Sequence, residues 1–329
     1  GKEVLLTDIH FTGTIDGDNA GGIVADLHGK DLSMGITVKN VTVDVKFTNS
    51  EDNNPQWIGG VARESFWSTF ENAIVTKLKA NNAGRVGGIL YGAYQGSTIL
   101  RSGANVDVVF ANSGGAGGGI AAYAATALYF SSVPSGATIT GADVEVEESY
   151  ARGSFKNAKY QVGGLIGSAY LGENGDPRMI TLRNNFVDVD ITDSYYYQGK
   201  ARGSIYYDDR NVDYENRTSH LGGVIGFVGI HYSESYRSED PGYTNLPNGD
   251  YSTLKMQNNI MAGELEMYIG RTCCDNTHRG NGVMIGTIAE TGGTSGLYFE
   301  IDSYGNIASK EKTWTTDLIG ERDNEVYVL

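Results

Sequence analysis

A Gly-Gly-apolar block returns along this chain in a fixed order, and that recurrence limits the folds open to it more than any other feature. The block stands at Gly21-Gly22-Ile23-Val24, Gly59-Gly60-Val61, Gly87-Gly88-Ile89-Leu90, Gly118-Gly119-Ile120, Gly163-Gly164-Leu165-Ile166 and Gly222-Gly223-Val224-Ile225. A degenerate copy follows at Gly282-Val283-Met284-Ile285. A recurring unit marks an array in which each repeat buries its apolar face against the next.

Between the blocks, apolar and polar residues alternate at the period of a strand with one dry side. Examples are Val41/Val43/Val45/Phe47, Val106/Val108/Phe110, Val144/Val146, Val187/Val189/Ile191, Leu265/Met267/Ile269 and Leu297/Phe299/Ile301. The outward partners include Asp44, Asp107, Glu145, Asp188, Asp190, Glu264 and Glu266, so the other side is acidic. A third piece precedes this strand, as in Ile36-Thr37-Val38-Lys39-Asn40, Ile180-Thr181-Leu182-Arg183-Asn184 and Leu254-Lys255-Met256-Gln257-Asn258. Its closing Asn suits a left-handed corner, which Asn tolerates better than most residues.

These pieces predict an all-β fold, a right-handed parallel β-solenoid (β-helix) with about three short strands per coil and roughly seven coils, with loop insertions in the second half. A β-sandwich also needs many short strands, but it does not require the same block to return in the same order. We read residues 1–329 as one domain, with Tyr-rich insertions at 195–220 and 230–251 and a C-terminal cap at 311–329 that includes Trp314 and Leu318-Ile319. In repeat proteins, insertions leave one face and often form the binding surface.

Composition agrees with many tight turns: Gly is 46 and Pro only 5, and Tyr at 21 outnumbers Phe at 10 and Trp at 3 together. A formal charge of −15 disfavours nucleic acid and anionic lipid as partners, since both need clustered Lys and Arg. No apolar run reaches the roughly 20 residues needed to span a bilayer, so no membrane insertion is expected. The start, Gly1-Lys2-Glu3-Val4, has no signal-like stretch, and the chain reads as a mature or trimmed ectodomain that is secreted or held at the cell surface. Cys273 and Cys274 are adjacent and cannot staple distant segments, which leaves no disulfide framework.

Val86-Gly87-Gly88-Ile89-Leu90-Tyr91-Gly92 with Gly96-Ser97-Thr98-Ile99, and Val162-Gly163-Gly164-Leu165-Ile166-Gly167, resemble the GLUG motif. That short repeat occurs in bacterial secreted and surface proteins, including the region upstream of the catalytic domain in immunoglobulin A1 proteases. The resemblance runs from about Gly21 to Ile288. It implies a bacterial surface or secreted module, similar to the non-catalytic repeat region of immunoglobulin A1 protease-like proteins, and carries over no catalytic residue. None of His10, His28, His220, His231 or His278 begins the His-Glu-x-x-His motif of the zinc peptidase part.

The remaining constellations have bland readings beside the sharp ones. Cys273-Cys274-Asp275-Asn276-Thr277-His278 lacks zinc-site spacing, which leaves a vicinal disulfide or two free thiols in a loop. Asp16-Gly17-Asp18-Asn19 opens like a calcium loop, but Leu27 stands where a bidentate Glu belongs, so a polar corner is the simpler reading. Asp188 and Asp190 could serve a carbohydrate-cleaving enzyme, yet the same acidic alternation recurs along the chain as a solvated face would. No metal, cofactor or catalytic residue is expected.

Tyr195, Tyr196, Tyr197, Tyr206, Tyr207, Tyr232, Tyr236 and Tyr243 crowd the two insertions. Tyr offers large contact area at low entropic cost, so these rings are the candidate contact surface for a glycan or glycoprotein in a monomeric adhesin. Packing of the insertions onto the solenoid flank is the equally open alternative. A polysaccharide lyase or glycoside hydrolase of β-helix type and a purely structural stalk are the competing functions.

Overall fold

The structure, a computed structural model, describes residues 4–31, 34–49, 56–112, 115–126, 142–171, 178–194, 220–230, 252–266, 270–271, 280–288, 299–309 and 319–321. Among these the fold is all-β, with three stacked sheets of 15, 8 and 8 strands. Each strand pairs in parallel with its counterpart in the next repeat; the antiparallel pairing is that of Gly270–Arg271 with Gly280–Gly282. Parallel neighbours separated by a whole repeat are the arrangement a parallel β-helix has.

The largest sheet holds two columns of strands. Short strands run from Val4–Thr7 through Thr98–Leu100, Val144–Glu147, Met179–Arg183 and Ser252–Gln257 to Phe299–Tyr304. Longer ones include His10–Asp16, Gly103–Phe110, Tyr150–Ala158 and Phe186–Asp193. In Ile36–Thr48 and Ser68–Ala83 the two are continuous, and these strands fuse the columns. Val144 and Val146, and Phe299 and Ile301, therefore belong to the short column, a correction to their grouping with the long strands. Both columns alternate buried and exposed residues, so alternation alone does not separate them.

A left-handed corner does separate them. Asn40, Asn184 and Asn258 have φ of 55°, 57° and 54°, the conformation expected of the closing Asn. Asp8, Asn72, Arg101, Glu148 and Gly305 occupy the same corner in other repeats, with φ of 58°, 55°, 48°, 51° and 65°. The residue after the corner points inward, and from Ser102 onward it is polar: Ser102, Ser149, Asn185, Asn259 and Asn306 are all buried.

The Gly-Gly blocks lie in register across the second sheet, where Gly21, Gly59, Gly87, Gly118, Gly163, Gly222 and Gly282 pair in succession. Close approach explains the second Gly. A Cβ on Gly88 would overlap the carbonyl oxygen of Gly119, and one on Gly164 the carbonyl of Gly223. Gly223 meets the carbonyl of Val283, the residue in the second Gly position of the last copy, in the same way.

The third sheet turns Leu27, Ala62, Leu90, Ala93, Ala121, Ala124, Ile166, Ala169 and Val228 toward the main apolar core, where they meet Val43, Val75 and Ile89. Its outer side carries a second apolar cluster containing Phe66, Trp67, Tyr91, Tyr94, Tyr123 and Tyr170. Ile319–Glu321 extends this sheet beside Ile285–Ile288, and the rest of the expected cap at 311–329 lies outside the described residues.

Candidate functional site

The strands Val24–His28 and Ala62–Phe66 are parallel neighbours, with Asp26 opposite Glu64 and His28 opposite Phe66. Residues two apart share a strand face, so Asp26 and His28 stand together on the outer side while Leu27 packs in the core. Ser65, between Glu64 and Phe66, is likewise turned inward, its hydroxyl 3.1 Å from that of Ser97.

Arg63 grips Asp26 with both ends of its guanidinium, Nε donating to Oδ1 at 2.8 Å and an Nη to Oδ2 at 2.5 Å. That fork uses the planar match between guanidinium and carboxylate. Glu64 is only 4% exposed, and its Oε2 has no hydrogen-bond partner; an Arg63 Nη stands 3.9 Å from it. His28 packs edge-on against Phe66 with ring centroids 5.0 Å apart, and its Nε2 is buried and likewise without a hydrogen bond. Donor atoms of Asp26, His28 and Glu64 all lie within 4.8 Å of one another.

Burial shifts the proton affinity of two of these groups. It pushes the Glu64 carboxyl up from its ordinary value, with Arg63 pulling back and Asp26 adding to the rise. Burial also lowers the His28 imidazole, Asp26 opposing and Arg63 assisting. The cluster thus offers an imidazole that burial biases toward its neutral form, a carboxyl that burial biases toward its protonated form and a carboxylate held by Arg63, a set able to ligate a divalent cation or to exchange protons.

No motif contiguous in the chain marks this cluster, whose members come from two repeats. Aligning the blocks on their first Gly would have exposed it. The fifth residue onward is Asp26, Glu64, Gly92, Tyr123, Ser168, Phe227 and Thr287, so carboxylates occur there only in the first two repeats.

An aromatic row follows from this end of the outer face. Trp57 stacks on Tyr91 at 5.9 Å, Tyr91 meets Tyr123 edge-on at 5.4 Å, Tyr123 stacks on Tyr170 at 6.2 Å, and Tyr170 reaches Phe227 at 5.6 Å. The Arg85 guanidinium sits over both Trp57 and Tyr123, at 5.7 and 5.9 Å. The Tyr rings are almost wholly buried, whereas Trp57 is 37% exposed, so packing occupies the row and contact surface remains at its Trp57 end.

Tyr195, Tyr196, Tyr197, Tyr206, Tyr207, Tyr232, Tyr236 and Tyr243 lie outside the described residues, as do Cys273, Cys274 and His278. Asp188 and Asp190 stand on the exposed side of their strand, where the Asp190 Oδ1 accepts the Glu264 N–H at 2.7 Å. Asp16 accepts a hydrogen bond from Thr48 at 3.2 Å and Asp18 one from Asn49, so both carboxylates of the calcium-like segment tie one repeat to the next. No helix among the described residues is long and apolar enough to cross a membrane. No family model, curated protein or solved structure matches the chain.

Proposed function

We propose that this chain is a non-catalytic, GLUG-type repeat module of a bacterial secreted or surface protein, related by its repeat to immunoglobulin A1 protease-like proteins. It is a right-handed solenoid of roughly seven coils that holds a binding face for a glycan or glycoprotein. The observation that carries this reading is where the long connections leave the stack. Ala121–Ala125, Ile166–Leu171, Ile225–Ile230 and Ile285–Ile288 are successive neighbours in the third sheet. Residues 126–143, 172–178, 231–251 and 289–298 all begin where these strands end.

In the three earlier repeats the same corner is crossed by residues 29–35, by Trp67 alone and by residues 95–97, so the two longest connections, 126–143 and 231–251, both belong to later repeats. Long connections gathered at one corner of a regular stack are how repeat proteins build a recognition face, and one of them is the Tyr-rich 230–251 segment. The other, 195–220, leaves from the end of the long strand Phe186–Asp193.

A carbohydrate-cleaving enzyme is the second reading, and it draws on Glu64 and Asp26 rather than Asp188 and Asp190. Two carboxyls of unequal environment are what acid–base cleavage needs. One experiment separates the readings: the purified chain is screened against glycans, mucins and immunoglobulin A, with products analysed in the same wells by mass spectrometry. Saturable binding without products, lost when Tyr196, Tyr207 and Tyr236 are changed together to Ala, supports the adhesin. Product formation overturns it, and silence in both channels leaves a structural stalk.

A further inference from the structure

We propose that Asp26, His28 and Glu64 form a binding site for a divalent first-row transition-metal ion, for which zinc is the fitting case. The acidic residues alone would not carry this. What does is that two electron-pair donors of the cluster, His28 Nε2 and Glu64 Oε2, are buried and neither is engaged by a hydrogen bond. Leaving a buried polar atom unsatisfied carries the full desolvation penalty of that group, which is larger when the group is charged. A cation shared by both atoms removes that cost for the pair at once.

The donor set selects the kind of ion. One imidazole nitrogen with two carboxylates suits zinc and its first-row neighbours, whereas calcium and magnesium take oxygen donors throughout. Three protein ligands leave a fourth position for water or a ligand, as in open zinc sites. Ligand atoms about 2.0–2.1 Å from a tetrahedral zinc stand roughly 3.4 Å apart. The three donor atoms already stand within 4.8 Å of one another.

The surroundings are those of a metal site as well. Arg63 holds Asp26 by both oxygens, which fixes the carboxylate in orientation while each oxygen keeps a lone pair for a metal. Phe66 packs on the His28 ring and fixes its plane, and Tyr94 backs Phe66 at 4.9 Å. Register holds the geometry: Asp26 and Glu64 are opposed residues of paired strands, so their spacing is set by the ladder rather than by a loop.

The test uses the full chain carrying Cys273→Ser and Cys274→Ser, so that thiolates do not contribute. Zinc is titrated by calorimetry after chelator treatment, and cobalt is added separately to read coordination from its visible absorption. The expected result is one equivalent of zinc bound, with affinity at least tenfold weaker in His28→Ala and in Glu64→Gln and unchanged in His10→Ala. Cobalt should give the intense bands of a low-coordinate site, and Glu64→Gln, which preserves side-chain volume, should remove them. Far-UV circular dichroism establishes that each variant is folded. Absence of saturable zinc or cobalt uptake by the folded chain, or uptake that His28→Ala and Glu64→Gln leave unchanged, overturns the assignment. The adhesin reading is tested separately by the Tyr variants, so either can fail alone.

Discussion

Asn259 and Asn185 stack directly over one another inside the coil, the Asn185 Nδ2 donating to the Asn259 Oδ1 at 2.9 Å. Both are completely or almost completely buried. The Asn259 Nδ2 passes the pattern on to the Asn306 Oδ1 at 2.8 Å and also donates to the Leu182 carbonyl at 2.9 Å, while the Asn185 backbone N–H donates to the Asn259 Oδ1 at 3.2 Å. Toward the N-terminus, Ser149 and Ser102 take over the role, their hydroxyls accepting the backbone N–H of Ser102 and Ala73. This ladder satisfies the backbone groups that the left-handed corner takes out of the sheet.

Asn259→Ala should therefore cost about 2–4 kcal/mol, because it strands the Leu182 carbonyl and the Asn185 donors in a dry interior. Urea unfolding followed by circular dichroism measures it. A loss below about 0.5 kcal/mol, the range of an ordinary surface change, would show that the ladder is dispensable.

The corner itself makes a prediction of opposite sign. Glu148 and Arg101 hold φ of 51° and 48°, where a residue with a Cβ is strained and Asn is less so. Their mutual ion pair spans 3.6 Å between half-exposed side chains, which is worth little. Glu148→Asn should stabilise the fold by about 0.5–1 kcal/mol. Asn40→Ala, at the same corner, should destabilise it by a similar amount and break the side-chain link to Asn72 and Asp8. The two midpoints in urea should move in opposite directions.

The features legible in the sequence were those repeated by every coil. The Gly-Gly register and the corner role of Asn40, Asn184 and Asn258 could be read because one steric demand recurs with the same answer. Arg101 and Glu148 were not, since they fill the same corner with residues that carry no left-handed signal. Likewise, the inward Ser102 and Asn185 look polar in one dimension and are core only in three. The Asp26, His28 and Glu64 cluster was illegible for a further reason: its members come from two repeats, and only cross-strand register brings them together.

Gly88 tests the steric argument for the second Gly of each block. Its Cβ would strike the Gly119 carbonyl, which is main chain, and crowd the Ala104 methyl. Gly88→Ala should cost at least about 3 kcal/mol, as expected of overpacking against main chain. Gly17 has no atom within 4 Å of its Cβ position, so Gly17→Ala should fall within about 0.5 kcal/mol of the parent. Thermal or urea unfolding of the pair decides it, and equal losses at both positions would remove close approach as the reason for the block.

Glu64 gives a pH dependence whose sign follows from burial. Its carboxyl is raised in the folded chain above an ordinary value of 4.5, so the folded state holds that proton more tightly than the unfolded one. The group's contribution is then fully present below about pH 4.5 and is lost as pH rises through the folded value. At neutral pH an ionised Glu64 is a burden, only partly relieved by Arg63, whose fork is already occupied by Asp26. In chelator-treated protein, Glu64→Gln should be more stable than the parent at pH 7, and the gap should close as pH falls toward 4. His28 opposes this trend within the parent: its lowered proton affinity adds stability above about pH 6.5 that is lost as pH falls through its folded value. Because His28 is common to both chains, the difference between their urea midpoints isolates Glu64. A gap that widened toward acid would mean the carboxyl is held ionised in the fold, by Arg63 or by a cation that the chelator did not remove.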